Sequence, residues 1–201
     1  MIILDFGSGG TCLNDWDYTK RMIDTMMNVN KNRRKPVIIK WQLFKEAGDN
    51  VPLKRDIFEK AYQYAKEFGY ETTASVFDLP SLTFLLKFDI PFVKIANNRK
   101  LDFLIEKIPK GTKVIKSIGS MEEFKNGSSL CCVSKYPATI DDYEDIFGGK
   151  LLIGISDHTE DWELYLKYAP LVYECHFCLD DSRGFDAGSF ARRPWQLEQI
   201  L

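Results

Sequence analysis

Histidine is scarce in this chain, with two imidazoles in 201 residues. Long apolar runs are missing too: none approaches the ~20 residues that a bilayer span needs. The first residues, MIILDFGSGG, lack the charged start and long apolar centre of a secretory signal. Charge of one sign is absent, since 27 Lys and Arg face 29 Asp and Glu. That balance gives no broad reason to expect nucleic acid or an anionic membrane as partner. The densest basic run, Lys31-Asn32-Arg33-Arg34-Lys35, precedes a proline and a strand-like segment and reads as a solvated turn. No Walker loop or GxGxxG occurs, and Gly7-Ser8-Gly9-Gly10 has the spacing of neither. Cysteines number five, an odd count, and three sit in or against apolar runs. Reduced, packed thiols in a cytoplasmic protein are expected, not a disulfide framework. Cys175-x-x-Cys178 has no second pair, which argues against a structural zinc ribbon.

What is present is a rhythm. Short β-rich runs recur at 2–6, 36–42, 73–77, 91–96, 113–117, 129–134, 151–156 and 171–177. Most segments between them read as helices. Residues 17–30 place Met22, Ile23, Met26 and Met27 on one face, and residues 54–69 do the same with Ile57, Phe58, Ala61, Tyr62 and Ala65. Gly69 is a natural stop for the second of these. Further helices are expected at 79–88, about 99–108, 120–125, 140–147 and 159–168, and a short one near 194–201 with Pro194 at its start. Thr139 and Thr159, each followed by acidic residues, are expected N-caps. Strands too apolar to be half exposed, alternating with helices, predict a compact (β/α)8 TIM barrel in one domain, 1–201. An open doubly wound sheet is the rival, though it usually has fewer strands.

Barrels gather their chemistry where strands run out into loops. Those positions read Asp5, Lys40 and Gln42, Ser75 and Asp78, Lys94 and Asn97, Ser117, Ser134 and Tyr136, Asp157 and His158, then Glu174 and His176. Strand ends meet water and are often polar for that reason alone. Lys40, Lys94 and His176, however, lie within or abut apolar sequence, and buried charges require partners or a ligand. The two histidines close consecutive runs, in Ser156-Asp157-His158-Thr159 and Glu174-Cys175-His176-Phe177. Adjacent strands lie ~4.8 Å apart, so imidazoles at their ends can converge on one cation. Two such nitrogens with oxygen ligands suit manganese or a similar divalent ion better than a thiolate-rich zinc site. One core and one surface histidine, unrelated to each other, is the plainer alternative. Lys40 and Lys94, with Ser75, Asn97, Ser117 and Ser134, make a cradle for a small phosphorylated anion.

In order and spacing these stretches resemble the sialic acid synthase family, the phosphoenolpyruvate-dependent synthases of N-acetylneuraminate and related nonulosonic acids. Lys40-Trp41-Gln42 is similar to the family's Lys-Phe-Gln, Ser75-Val76-Phe77 to its Thr-Pro-Phe, and Lys94-Ile95-Ala96-Asn97 to Lys-Ile-Ala-Ser. Ser117-Ile118-Gly119-Ser120 follows Ser-Thr-Gly-Met, and Tyr136-Pro137 matches the Tyr-Pro step after strand six. Ser156-Asp157-His158-Thr159 is identical to the family motif, Glu174-Cys175-His176-Phe177 is nearly so, and Gly184-Phe185-Asp186 resembles Gly-Pro-Asp. The resemblance implies a metal-assisted condensation of phosphoenolpyruvate with an open-chain N-acetylated aldose, an amino sugar such as N-acetylmannosamine. His158 and His176 would hold manganese or magnesium. Lys40, Ser75, Lys94, Ser117 and Ser156 would anchor phosphoenolpyruvate, with Asn97 and Ser134 at two further matching positions. Asp5 would stabilise the developing cation or guide water, and Gln42, Tyr136 and Asp186 would face the sugar.

The chain also departs from the family. Ser8-Gly9-Gly10-Thr11 stands where Asn-His is usual, and Asn98-Arg99 replaces Gly-Glu, removing a carboxylate. Arg99 is expected to add a phosphate contact in its place. Only the barrel is matched, without the C-terminal antifreeze-like domain that covers the partner's site in the family dimer; a homodimer is left open. Two other readings remain at this point: a degenerate metal- or anion-binding barrel without turnover, and an aldolase using Lys40 or Lys94 as a Schiff base.

Overall fold

Side chains two apart on a strand face the same way, and that alternation organises the whole molecule. A computed structural model describes residues 1–33, 35–46, 48–124 and 128–201. Eight parallel strands close in chain order: β1 (Ile2–Asp5), β2 (Val37–Leu43), β3 (Glu71–Val76), β4 (Val93–Ile95), β5 (Val114–Ile118), β6 (Ser129–Cys132), β7 (Gly154–Asp157) and β8 (Val172–His176). β8 pairs back onto β1, with Asp5 opposite His176. Helices α1 (Trp16–Val29), α2 (Arg55–Glu67), α3 (Leu79–Leu85), α4 (Ile140–Phe147) and α5 (Glu163–Tyr168) lie between strands, and α6 (Pro194–Leu197) follows the last one. The expected TIM barrel is borne out.

Outward strand residues, among them Leu4, Ile39, Trp41, Ala74, Val76, Ile95, Cys131, Ile155 and Tyr173, pack against the apolar faces of the helices in one core. Met22, Ile23 and Met26 come from α1, and Ile57, Phe58, Ala61 and Ala65 from α2. Inside the barrel a separate cluster of Ile3, Ile38, Phe92, Ile115 and Leu130 plugs the end where the strands begin. Two residues further along, the inward positions change character to Asp5, Lys40, Ser75, Lys94, Ser117, Cys132, Ser156 and Glu174, all buried. An apolar plug therefore supports a buried polar layer, and the binding chemistry starts there.

Several boundaries differ from the expectation. Arg99–Lys107 is a 3-10 helix, and 120–125 contracts to a 3-10 turn at Met121–Glu123, with Lys125 outside the described residues. Residues 151–152 belong to a 3-10 segment, Gly148–Leu152, so β7 starts later than its apolar run suggests. Thr139 caps α4 through a reciprocal box with Asp142. Thr159 caps nothing: its amide bonds Asp157 Oδ1 at 2.7 Å, its hydroxyl is 3.3 Å from Arg192, and α5 begins only at Glu163. Gly69, at φ +71°, turns the chain after α2 as expected. In the basic segment Arg34 lies outside the described residues, and Lys35 is only partly solvated, its amine 2.7 Å from the Tyr165 hydroxyl. No helix is long and apolar enough to cross a membrane, among the described residues.

Candidate active site

The polar layer forms the floor of a cavity of about 470 Å³ at the mouth of the barrel. Lys40 and Lys94 reach it from β2 and β4 and converge on one carboxylate, Glu174 of β8. Glu174 Oε1 lies 3.6 Å from Lys40 Nζ and 3.4 Å from Lys94 Nζ, and accepts from Ser156 Oγ at 3.0 Å. Its second oxygen is buried without a hydrogen-bond partner. Lys40 also donates to Asp5 Oδ2 at 2.6 Å and to Ser75 at 3.0 Å, while Lys94 donates to Ser117 at 2.7 Å. Burial works against charge on Lys40, but Asp5 and Glu174 outweigh it and raise its pKa. For Lys94 burial wins, reinforced by the charge of Lys40, and its pKa falls. Burial disfavours the Asp5 carboxylate as well, yet Lys40 holds it at about 2. Glu174 is likewise kept below the usual range by both lysines against its burial.

Above the floor, Gln42 bridges two carboxylates with one amide nitrogen, 3.0 Å from Asp5 Oδ2 and 2.8 Å from Asp186 Oδ1. Asp186 also accepts from the Ser8 amide at 3.2 Å, which draws the loop after β8 down onto the loop after β1. Asn97 donates to Ser134 at 3.1 Å on the opposite side. The two histidines stand together with ring centroids 5.5 Å apart. Val133 carbonyl lies 2.6 Å from His158 Nδ1 and can only accept, so that nitrogen carries the proton and Nε2 keeps its lone pair. Burial, with His176 nearby, pushes His158 down to about 3, leaving it neutral near pH 7. His176 Nδ1 is buried with no hydrogen-bond partner, 3.6 Å from Asp186 Oδ1 and 3.8 Å from Asp5 Oδ2. Tyr136, whose peptide to Pro137 is cis, lies 4.1 Å from the His158 ring, and Phe190 lies 5.0 Å from the His176 ring.

These observations test the implied metal. A nitrogen ligand sits ~2.1 Å from a divalent ion, so two rings sharing one ion have centroids roughly 6 Å apart or less. The observed spacing, the neutral His158 and the unpartnered His176 nitrogen fit two ligands of such an ion. No group of three or more His, Cys, Asp or Glu gathers into a ready cage among the described residues. Two imidazoles fit; the remaining positions would fall to water or substrate.

Thirteen of the fourteen expected site residues line this cavity or its floor. Arg99 does not. It is exposed and turns outward to Glu123, 3.3 Å away, because the 3-10 helix that starts at Arg99 carries it off the rim. Unlike the other expected site residues, Arg99 forms a surface ion pair outside the cavity. Asp78 and Asp157, also polar strand ends, serve the scaffold, Asp78 capping α3 at 2.7 Å and Asp157 pairing with Arg192 at 2.9 Å. Reading the strands for roles overlooked Glu174 and Cys132, although period-two alternation from His176 places Glu174 on the inner face. Burial raises the Cys132 thiol to about 11, so it stays protonated.

With the geometry in place, comparison with known proteins decides the lineage. Residues 19–201 match the model of the NeuB family. The chain belongs to the NeuB family. Among solved structures it is similar to an N-acetylneuraminic acid (sialic acid) synthetase from Leptospira borgpetersenii serovar Hardjo-bovis, in complex with citrate, at 22% identity and a TM-score of 0.76. That match covers 98% of this chain and 80% of the other. It is also similar to a protein from Chromobacterium violaceum described as spore coat polysaccharide biosynthesis protein E, at 17% identity and a TM-score of 0.75, covering 98% and 71%. At these identities the neighbours establish a shared NeuB-like fold. No curated protein matches the chain.

Proposed function

We propose that this NeuB-family barrel is a transferase that condenses phosphoenolpyruvate with an N-acetylated aldose to give a sialic-type nonulosonic acid. The observation that carries this reading is the convergence of Lys40 and Lys94 in a buried layer directly beneath two paired imidazoles. Lys40, Ser75, Lys94, Ser117 and Ser156 bind the phosphate and carboxylate of phosphoenolpyruvate, the two lysines and Ser156 trading their contacts with Glu174 for contacts with the substrate. Asn97 and Ser134 hold the edge of that subsite. Gln42, Asp186 and Tyr136 orient the open-chain aldose so that its C1 faces the methylene carbon of phosphoenolpyruvate. His158 and His176 would hold manganese or magnesium, which when bound polarises the aldehyde oxygen.

The new bond joins the methylene carbon to C1, and the aldehyde oxygen takes up a proton. Positive charge then develops at the enol carbon, where Asp5 and Glu174 stabilise it. Water adds there, its proton passing toward Asp5, and the phosphate departs with its bridging oxygen. Asp5 is already held by Lys40, Gln42 and the Gly7 amide, so it needs little reorientation as the charge develops.

The test is phosphate release from phosphoenolpyruvate, measured with manganese and a panel of N-acetylated aldoses. Release should require an aldose, and His158→Ala or His176→Ala should lower it at least 100-fold while circular dichroism and the melting transition persist. Release that is unchanged by both substitutions, or that never depends on an aldose, contradicts the reading.

A further inference from the structure

Phe185 stands on the rim of the cavity, 64% exposed, yet its neighbours in sequence are fixed. Gly184, at φ +84°, seats against the backbone of Gly10, where a Cβ would meet Gly10 atoms at 3.1–3.4 Å. Asp186 is turned inward and is 7% exposed, tied to Gln42 and to the Ser8 amide. With one neighbour wedged and the next anchored, the loop has no freedom to fold the Phe185 ring into the core. A lone exposed apolar side chain is ordinary on a protein surface and signals nothing. Leu171, at 74% exposed, and Leu166, at 71%, are of that kind and lie away from this cavity. Phe185 differs because it lines the cavity, and among the described residues no other ring packs on it.

The wall that Phe185 joins is itself mixed. Phe77, Ala96, Tyr136 and Phe190 contribute apolar surface around a mouth whose floor is charged. Phe190 and Tyr136 are already committed to the histidines, 5.0 Å and 4.1 Å from their respective rings. The polar counterparts of Phe185 on the same side, Asp5, Gln42 and Asp186, include two carboxylates, which favour hydroxyl groups and repel a phosphate.

Resting on the proposed reaction, we infer that Phe185 determines acceptor specificity, as a hydrophobic platform selecting an uncharged aldose with an apolar substituent such as an acyl methyl over a fully hydroxylated or phosphorylated sugar. Aromatic side chains stack on C–H-rich surface and gain by covering it from water. An apolar ring offers nothing to the charged groups of phosphoenolpyruvate, which are met by the lysines.

Binding is measured without turnover, by calorimetry for phosphoenolpyruvate alone and by saturation-transfer NMR titration for N-acetylmannosamine, its 6-phosphate and mannose. The parent protein should bind N-acetylmannosamine most tightly of the three. Phe185→Ala should weaken N-acetylmannosamine about tenfold and mannose less than threefold, leave phosphoenolpyruvate within twofold, and keep the parent's melting temperature. Phe185→Tyr should remain within twofold for all. Equal affinity of Phe185→Ala and parent for N-acetylmannosamine overturns the inference, as does failure of the parent to bind any of the three sugars. A change of oligomeric state in Phe185→Ala with sugar binding unaltered also overturns it, marking the ring as a protein contact. If phosphoenolpyruvate does not bind but the Phe185 effect on N-acetylmannosamine holds, the proposed reaction falls and the platform stands.

Discussion

Glu174 concentrates the electrostatics of the site in one side chain. Two ammonium groups and a hydroxyl share its Oε1, while Oε2 is left without a partner. Such an arrangement keeps two like charges close together in a buried space, and it holds only while the carboxylate is present. Replacing Glu174 by Gln preserves the shape and removes the compensating charge. The substitution should cost about 3 kcal/mol or more by chemical denaturation, with Lys94, already the less favoured ammonium, surrendering its proton more readily. Glu174 was visible in the sequence only as a polar strand end. Its role depends on β2 and β4 directing lysines at it from across the barrel, and no local pattern encodes that distance.

Among the elements, the turn after β7 and the loop after β8 are the pieces that hold the two imidazoles in register. Arg192 joins them. Its guanidinium meets Asp157 Oδ2 at 2.9 Å, the carbonyls of Thr159, Asp161 and Phe190, and the face of Trp162 at 4.7 Å, with no exposed side-chain surface. Its backbone also pairs with the end of β8, the amide lying 2.8 Å from His176 carbonyl. Arg192→Ala should destabilise the fold by about 3–5 kcal/mol, because it strands Asp157 in the interior. The same network explains why α5 starts at Glu163 and not at Thr159. Thr159 has the composition of an N-cap, but its bonding groups are claimed by Asp157 and by an arginine more than thirty residues away. Sequence spacing can show a capping pattern and is blind to that competitor. Arg99 misleads in a similar way, since it directly follows rim residues Asn97 and Asn98 yet leaves the rim with its helix.

At the scale of the molecule, stability and binding are set against each other. Eight apolar runs and their helices made the barrel readable, and matched strand ends made most of its mouth readable, because both follow from period-two alternation. What the alternation cannot tell is which inward layer stays apolar and which becomes polar, a choice visible only once the strands are staggered. Here the polar layer buries two carboxylates and two lysines inside a closed sheet, so a ligand that completes their coordination should stabilise the whole fold. Phosphoenolpyruvate with manganese at about 100 times the dissociation constant should add ~2.7 kcal/mol, read as a raised melting temperature in scanning calorimetry. His158→Ala should remove the manganese-dependent part of that rise. There is also an order of assembly written into the pairing of Asp5 with His176. During synthesis the first stave leaves the ribosome with one flank unsatisfied, and it waits while some 170 further residues are made. The seam that closes the mouth is thus built from the first and eighth staves, and no nascent fragment short of the eighth stave can hold it.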